Sequence, residues 1–314
     1  PLSANAMSCR IRARDWTQVH ARAAAIRQTV SSSGVAALEI LADYDHTVTW
    51  AWGDQCHGLL MNRAELGEEF QQALKPWRQF LREQRITNAS TQEEKVNHAL
   101  QWWNGVHAAV AQAGLTRTQL TEAVKKSSMQ LRHGADGFFA AAGARGVPVT
   151  IVTAGVTDVA EELLRQSWVE LGAPAEEGRY STDSWSGAQL RIWGNRMRWA
   201  DDRVVGAEEP VVTFLTKQEA VQAYCELDGW RPAATCVLAL GDGVRDTDCV
   251  KGCAGVEHVL QVGFVNKEEP DKDTLDSMMQ AYDIVLIGDE VPFDPVVSLL
   301  SYLVGDGDFP LEEG

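Results

Sequence analysis

Two short motifs rich in aspartate each follow an apolar run typical of a buried strand. The pattern DxDxT occupies residues 43–47 after the run 38–42, and GDxxxD occupies residues 241–246 after the run 235–240. Taken singly, an aspartate after a strand commonly forms an Asx turn or caps a helix. Two such motifs after different strands favour a shared carboxylate site, because ligands of α/β sheets bind outside the carboxyl ends of the strands.

The aspartates of these motifs would repel one another in one cleft and would need a cation. Asp43 and Asp45 are two residues apart, and a chain that curls as it leaves its strand can turn both toward one ligand. Mg²⁺ is the ion that fits, because it binds one or two carboxylates together with water and a substrate phosphate. The sequence therefore predicts a Mg²⁺ site with the candidate ligands Asp43, Asp45, Asp242 and Asp246.

Two further segments fit a phosphate-binding site. The second apolar run ends at Thr153, Ala154 and Gly155, where a hydroxyl and backbone N–H groups precede a predicted helix that begins near Asp158. Such a helix start attracts anions. Lys217 opens a later predicted helix, and its ammonium could reach the same cleft. Both segments also have an ordinary interpretation, since a lone lysine is usually a surface residue and a threonine can simply lead into a helix.

Strand and helix patterns alternate along much of the chain. Buried strands are predicted at 38–42, 147–152, 235–240 and 282–287, and apolar residues at helical spacing predict helices at 158–171, 218–227 and 295–303. Strands that alternate with helices form a parallel sheet covered by helices. The predicted fold class is therefore α/β.

The stretch between the first two predicted strands is too long for one crossover. It carries helical patterns at 65–81, 93–113 and 117–131, and Pro76 should break or kink the first of them. We expect a helical-bundle cap domain that stands over the sheet. The predicted division is an N-terminal segment and helix at 1–33, a core made of 34–55 and 146–310, and a cap at 56–145.

Composition and charge exclude several classes of protein. The chain has 314 residues, 45% of them hydrophobic and 23% charged, and a formal net charge of −16; this is typical of a globular protein and not of a disordered one. An acidic chain is a poor binder of nucleic acid, which attracts proteins through Lys and Arg. No apolar stretch approaches the length of a membrane span or resembles a secretory signal. We therefore expect a cytoplasmic protein without a nucleic-acid or membrane partner.

Two minor patterns leave alternatives open. The six cysteines form no CxxC framework and favour free thiols, although Cys249 and Cys253 are close enough in sequence to share a metal. The segment 189–199 alternates and breaks at Gly194-Asn195, which predicts a β-hairpin. Its arginines and tryptophans could face nucleic acid, but a solvated hairpin face agrees better with the acidic chain.

The motifs, taken in order, resemble the signatures of the haloacid-dehalogenase (HAD)-type phosphohydrolases. That superfamily carries DxDxT, a strand-terminal Ser or Thr, a Lys and GDxxxD, and the matching positions are Asp43, Thr153, Lys217, Asp242 and Asp246. The chain is further similar to the cytosolic 5′-nucleotidases of type III, also called pyrimidine 5′-nucleotidases. The segments that carry this likeness are 93–95, Trp102-Trp103, His107, Gly134 with Phe138-Phe139, 151–155, 158–166, 256–258 and 282–286. The resemblance includes the helical insert and implies a HAD-like Rossmannoid core with a parallel sheet and an inserted helical cap.

The resemblance implies a covalent mechanism. Asp43 would attack phosphorus and form an aspartyl-phosphate. Asp45 would protonate the departing 5′-oxygen of the nucleoside and then activate the water that hydrolyses the intermediate. Mg²⁺ would be held by Asp43, the backbone carbonyl of Asp45 and Asp242.

The same resemblance implies how the phosphate is held. Lys217 and Thr153, with Ala154 beside it, would bind the phosphate oxygens, and Asp246 would position Lys217 or a metal-bound water. The chain departs from the family pattern at His46, where the family has an apolar residue.

The resemblance places base recognition in the cap. Trp103 falls where some members have Tyr and those that act on 7-methylguanosine monophosphate have Trp, and an indole stacks well on a cationic methylated purine. Glu83 is the nearest match to the acidic residue that the family uses on the base. A purely structural role for Trp103 stays open, because it shares one helix face with Val96, Leu100, His107 and Val110.

Three functions stay open from sequence. The leading hypothesis is a Mg²⁺-dependent 5′-nucleotidase, a monomer or weak dimer, that hydrolyses CMP, UMP or 7-methyl-GMP. The second is a related HAD phosphohydrolase or a phosphotransferase that acts on another small phosphoester. The third is a catalytically inactive nucleotide-binding module, which the intact Asp43, Asp45, Lys217 and Asp242 disfavour.

Overall fold

The computed structural model describes residues 9–62, 66–83, 91–170, 190–227 and 234–311. Within these residues the strands, in chain order, are β1 (Arg10–Ala13), β2 (Leu38–Ala42), β3 (Val149–Val156), β4 (Leu190–Asn195), β5 (Met197–Ala200), β6 (Arg203–Ala207), β7 (Cys236–Gly241), β8 (His258–Val265) and β9 (Ile284–Ile287). One sheet has the order β1-β9-β8-β7-β2-β3-β4, and β5 and β6 form a separate hairpin.

The interior of the sheet is parallel, and β2 lies between β3 and β7. Ala42, the last residue of β2, pairs with Ile151 on one side and with Leu240 on the other. Only β1, at one edge, runs antiparallel, to β9. The carboxyl ends of β7, β2 and β3 therefore meet at one place, and the α/β prediction is confirmed.

The residues of β2 show why this strand is central. All of them are buried. Leu38 and Ile40 belong to one hydrophobic cluster and Leu41 to another, because alternate side chains of a strand point to opposite faces. The sheet is thus packed on both faces, as a near-continuous apolar run predicts.

Helices cover the sheet and fill the long insert between β2 and β3. In the described residues they are α1 (Trp16–Ser33), α2 (Cys56–Asn62), α3 (Glu68–Glu83), α4 (Gln92–Ala113), α5 (Arg117–Lys125), α6 (Ala135–Arg145), α7 (Thr157–Glu170), α8 (Lys217–Leu227), α9 (Lys272–Ala281) and α10 (Asp294–Leu303). None of them combines the length and the hydropathy needed to cross a membrane.

The insert contains α2 to α5, which we call the helical layer. Thr91 and Thr116 start α4 and α5 with capping boxes, in which each threonine accepts a backbone hydrogen bond and is matched by Glu94 or Gln119. The hairpin β5–β6 packs on α4, although it comes much later in the chain. α6 instead packs on α10, so the cap boundary at residue 145 stays a prediction.

Most sequence-based predictions of elements correspond to observed ones. The predicted strands correspond to β2, β3, β7 and β9, and the predicted helices outside the insert correspond to α7, α8 and α10. α3 continues through Pro76 instead of breaking there. The sequence patterns do not reveal β1, β8 or α9.

The predicted hairpin at 189–199 is wrong. β4 ends at Asn195 and pairs in parallel with β3, whereas the observed hairpin joins β5 to β6. Asn195 is buried, and its side-chain amide donates to Ala154 O (2.8 Å) and Val212 O (2.7 Å). Asp201 supplies the turn instead, with a left-handed backbone (φ 51°) that aspartate tolerates.

Candidate active site

Asp43 follows the central strand and is fixed by its neighbour. Its backbone N–H donates to Leu240 O in β7 (2.9 Å), and its side chain is buried. The chain then makes a tight turn over Tyr44–Val48, which leaves regular helical angles at Asp45 and His46. This turn is the curl that the spacing of the two aspartates requires if both are to serve one site.

Lys217 joins the two acidic motifs. It is the first residue of α8, and only 4% of it is exposed. Its Nζ donates to Asp43 Oδ1 and to Asp246 Oδ1, the latter at 2.6 Å. Burial lowers the pKa of this lysine, but the charges of Asp246 and Asp43 outweigh that effect and hold the pKa well above its ordinary value. Lys217 is therefore a fixed cation at neutral pH.

Three aspartates form a compact cluster at the same place. Asp43, Asp242 and Asp246 each offer a carboxylate oxygen, and these oxygens lie within 4.8 Å of one another. Gly243 N donates to Asp246 Oδ2 (2.8 Å) and so orients that carboxylate. In the described part of the chain no other group of three or more acidic, histidine or cysteine side chains has this geometry.

The chemistry of the aspartate cluster fits a hard cation. Its donors are carboxylate oxygens, the ligands that Mg²⁺ prefers. Burial, and next the charge of Asp43, raise the pKa of Asp242 well above its ordinary value. A bound cation would reverse this effect, because an opposite charge favours the ionised form. One lysine does not balance three carboxylates, of which Asp43 is buried and Asp242 and Asp246 are half-buried.

Asp45 stands outside the aspartate cluster. Its Oδ1 accepts a hydrogen bond from Cys56 N at the start of α2 (3.0 Å), which ties the DxDxT motif to the helical layer. Burial raises the pKa of Asp45 to about 6 and that of Asp43 to about 7. Carboxyl groups that titrate near neutrality are suited to proton transfer.

The end of β3 brings Thr153 and Ala154 to the site region, with their polar groups partly occupied. Thr153 is buried, and its Oγ1 accepts a hydrogen bond from Gly155 N (2.8 Å). The sequence predicts that this N–H is available to an anion, but it is already occupied. Ala154 O accepts from Trp103 Nε1 (2.8 Å). The Thr153 hydroxyl keeps its own proton available for a ligand oxygen.

Trp103 connects α4 to β3 through that hydrogen bond. Its ring is half-buried, meets Trp102 edge-on at 4.4 Å between centroids, and lies 6.0 Å from the exposed Phe214. The packing and the hydrogen bond give Trp103 a structural role, and its role toward a base stays a prediction. Glu83 ends α3, and its side chain lies outside the described part of the structure.

Sequence reasoning missed two residues behind the DxDxT turn. Arg132 and Asn266 both hydrogen-bond to the carbonyl oxygen of His46. Arg132 lies between α5 and α6, and Asn266 directly follows β8. A polar residue directly after a strand is a signal for a functional position, and Asn266 has that placement. The signal cannot be read from the sequence, because β8 itself is not evident there.

Comparison with known families decides the family. The profile described as Pyrimidine 5′-nucleotidase (UMPH-1) matches residues 48–304. The chain belongs to the pyrimidine 5′-nucleotidase family. The family resemblance drawn from the motifs is confirmed, and the match begins directly after the DxDxT motif.

Relatives of this pyrimidine 5′-nucleotidase family member include several animal proteins. The 7-methylguanosine phosphate-specific 5′-nucleotidase of Mus musculus is 27% identical over 280 residues, covering 86% of this chain and 86% of the relative. The Homo sapiens protein of the same name is 26% identical over 279 residues, with the same coverage. A putative cytosolic 5′-nucleotidase 3 of Caenorhabditis elegans is 24% identical and covers 85% of this chain and 69% of the relative.

A solved structure supports the fold of the family member. The crystal structure of cytosolic 5′-nucleotidase IIIB bound to cytidine superposes with a TM-score of 0.73 at 20% identity, and covers 94% of this chain and 93% of that chain. The HAD-like fold is thereby confirmed. As a pyrimidine 5′-nucleotidase family member, the chain is an enzyme of the 5′-nucleotidase type, a hydrolase of nucleotide phosphomonoesters.

Proposed function

We propose that this chain uses Mg²⁺ to hydrolyse nucleoside 5′-monophosphates to nucleoside and phosphate through an aspartyl-phosphate. The observation that carries the proposal is the buried cluster in which Lys217 joins Asp43 to Asp246. The family name and the names of the relatives support pyrimidine monophosphates, CMP and UMP, and 7-methyl-GMP as the substrates. A cytoplasmic location and a monomer or weak dimer stay predictions from sequence.

The acidic cluster supplies the metal ligands. Asp43, Asp242 and the backbone carbonyl of Asp45 would hold the Mg²⁺, and Asp246 would position Lys217. When bound, the ion offsets the repulsion between the carboxylates and the phosphate. The raised pKa of Asp242 supports this assignment, because burial and neighbouring carboxylates leave an excess of negative charge there.

Asp43 and Asp45 divide the chemistry. A carboxylate oxygen of Asp43 forms a bond to phosphorus while the bond from phosphorus to the 5′-oxygen breaks, and protonated Asp45 gives its proton to that oxygen. Ionised Asp45 then takes a proton from a water molecule, whose oxygen attacks phosphorus. The bond from phosphorus to Asp43 breaks, phosphate leaves, and both carboxyls regain their starting states. The pKa of Asp45, raised by burial to about 6, supports this double role.

Lys217 and Thr153 bind the phosphate oxygens beside Ala154. The buried ammonium of Lys217 already faces Asp43, where an anionic phosphate must arrive. The Thr153 hydroxyl accepts from Gly155 N and donates to the phosphate. Groups held in place before the reaction stabilise the transition state without reorganisation.

The activity is tested with phosphate release from CMP, UMP, 7-methyl-GMP, AMP and GMP. We expect turnover of at least one of the first three, loss of it with EDTA, and recovery with Mg²⁺. Asp43→Asn should abolish turnover, whereas Asp136→Asn, which changes an exposed aspartate at the start of α6, should not. Full activity of Asp43→Asn would refute the nucleophile assignment. Adding uridine or cytidine reveals a phosphotransferase, because transfer forms new nucleotide in place of free phosphate.

Base recognition is tested with Trp103→Tyr. If Trp103 stacks on the base, the ratio of kcat/KM for 7-methyl-GMP to that for CMP should fall by up to about 10-fold, since an indole attracts a cationic ring more strongly than a phenol does. Hydrolysis of p-nitrophenyl phosphate is the control and should change little. An unchanged ratio would leave Trp103 with its structural role alone.

A further inference from the structure

The turn that presents Asp45 has an unfavourable backbone. His46 adopts the left-handed conformation, with φ 66° and ψ 0°. Residues with a Cβ rarely take this conformation, and where they do the surrounding structure must hold them there. The turn itself supplies local bonds, among them His46 N to Thr49 Oγ1 (2.9 Å) and Thr49 N to Tyr44 O (3.0 Å). Further constraints, on the carbonyl oxygens of His46 and Thr47, come from distant parts of the chain.

Arg132 and Asn266 provide those constraints from behind the turn. The Nη2 of Arg132 donates to His46 O, and its Nε donates to Thr47 O (2.6 Å). Asn266 Nδ2 donates to His46 O as well (2.9 Å), and Asn266 Oδ1 accepts from Arg132 Nη2 (2.8 Å). The Nη1 of Arg132 donates to Val291 O (2.8 Å), which anchors the guanidinium beyond β9. We call Arg132 and Asn266 the carbonyl clamp.

Arg132 is unusual for a buried cation. Only 5% of it is exposed, and among the described residues its side chain bonds to carbonyl and amide oxygens, with no carboxylate within ion-pair distance. The ring of Phe264 lies under the guanidinium, 4.3 Å from its central carbon. A buried charge normally needs a counter-ion. Burial lowers the pKa of Arg132 to about 10, and the charge of Asp242, which lies beyond ion-pair distance, opposes that effect. The planar guanidinium of Arg132 fixes the shape of the turn, because it donates to two successive carbonyl oxygens, those of His46 and Thr47.

The clamp acts on the part of the turn that sets Asp45 relative to Asp43. The backbone of Asp43 is held by β7 through Leu240 O, and its carboxylate is held by Lys217, with a longer bond from Thr47 Oγ1 to Asp43 Oδ2 (3.5 Å). Asp45 directly precedes the left-handed residue, and its own anchor is Cys56 N in the helical layer. Releasing His46 O and Thr47 O would therefore shift Asp45 more than Asp43.

We propose that the carbonyl clamp positions Asp45 for proton transfer to the leaving group, so that Arg132 and Asn266 are positioning residues for this step. The proposal rests on the proposed function, in which Asp45 is the general acid. It predicts that variants of the clamp lose activity in a way that depends on the leaving group. The value of kcat/KM should fall for a substrate whose leaving oxygen needs a proton, and should change little for one whose leaving group departs as an anion.

The test compares kcat/KM for two matched substrates, since this constant reports the steps up to departure of the leaving group. One is the best monophosphate of the panel above. The other is its 5′-thio analogue, in which a thiolate leaves without protonation. Arg132→Met should lower kcat/KM about 10²-fold for the oxygen ester, the size of one general acid contribution, and less than about 5-fold for the thio ester. Arg132→Lys, which keeps the charge and several donors, should recover part of the loss.

Asn266→Ala is the milder variant and guards against misfolding. It removes one donor to His46 O and should lower kcat/KM for the oxygen ester about 5- to 10-fold, again with little effect on the thio ester. Asn62→Ala, at the end of α2, is the matched control and should affect neither substrate. Equal losses on both substrates for Arg132→Met and Asn266→Ala would overturn the proposal, because a structural defect does not discriminate between leaving groups.

Asp45→Asn separates failure of the inference from failure of the proposed function. If Asp45 is the general acid, Asp45→Asn should show the largest difference between the two substrates. If it shows that difference and the clamp variants do not, the clamp proposal is wrong and the proposed function stands. If Asp45→Asn shows no difference, the acid role itself is wrong, and the clamp proposal falls with it.

Discussion

Two regions of the molecule bury titratable side chains, and they treat charge in opposite ways. At the carboxyl ends of the strands, Lys217 contacts Asp43 and Asp246, so charges of both signs are buried together. In the helical layer, His57 and His107 face each other with their Nε2 atoms 3.3 Å apart and no acidic partner in the described residues. Burial lowers the pKa of both histidines, that of His107 to about 4. The first region contains ionised side chains, which the proposed reaction uses. The histidine pair of the second region is stable only while both rings are neutral.

Among variants that test this comparison, the largest effect should come from Lys217→Met, which removes the cation of the charged region. Without the ammonium, Asp43 and Asp246 lose their counter-charge and the phosphate loses a donor, so kcat should fall about 10³-fold. Phosphate release on the best substrate measures this. Lys251→Met is the matched control, because Lys251 pairs with Asp248 on the surface and exposed pairs contribute about 1 kcal/mol or less. Comparable activity of the two variants would show that Lys217 is not needed for the reaction.

The neutral histidine pair predicts acid sensitivity. The folded-state pKa of His107, about 4, lies below the ordinary 6.5, so the unfolded chain binds more protons in this range. The free energy of unfolding should therefore fall as pH falls from 6.5 toward 4, by about 3 kcal/mol for this one group. Urea unfolding at several pH values measures the slope. His107→Gln should flatten it, whereas His133→Gln, which changes a side chain that is 65% exposed, should leave it unchanged.

Glu39 should give a slope of the opposite sign and similar size. This glutamate of β2 is buried, accepts a hydrogen bond from Thr150 Oγ1 (2.6 Å), and has its pKa raised by burial from 4.5 to about 7. The folded chain then binds the extra proton, so stability should fall by about 3 kcal/mol as pH rises from 4.5 through 7. Glu39→Gln keeps a hydrogen-bond acceptor and should stabilise the protein at pH 8 but not at pH 5. A gain of the same size at both pH values would contradict the assignment.

The smallest effect should come from a change that leaves both charge patterns intact. Thr91→Ala removes the side-chain acceptor for Glu94 N at the start of α4 and should cost about 1 kcal/mol of stability. Thermal unfolding of Thr91→Ala, with Thr116→Ala as a second case of the same cap, measures it. No change in either variant would mean that tertiary packing alone maintains these helix starts.

The sequence predicts well which aspartates meet at the carboxyl edge of the sheet, because strand order dictates it. Asp43 and Asp242 follow apolar runs that pair side by side as β2 and β7, and carboxylates so placed need a cation. The spacing of Lys217 alone does not place it at the site, because only the packing of α8 brings its ammonium between the two motifs. The sequence also predicts the helical insert, because apolar residues at helical spacing can be recognised within each segment.

What the sequence does not show depends on contacts between distant segments. Arg132 and Asn266 meet only through the turn at His46, and no local pattern distinguishes an arginine that bonds to carbonyls from a surface arginine. The mistaken hairpin has the same origin. Gly194-Asn195 has the composition of a turn, but the Asn195 side chain bonds to Ala154 and Val212 instead, and tertiary contacts override the turn preference.

The order of the strands in the sheet also determines when the fold can form during synthesis of the chain. β2 and Asp43 are synthesised well before β7 (Cys236–Gly241), which fixes the Asp43 backbone, and β1 is synthesised well before its partner β9 (Ile284–Ile287). Pairing between segments so far apart in sequence is slow. β2 must therefore wait for β7 before its side of the sheet is complete, and fragments of the chain that lack β7 should be inactive.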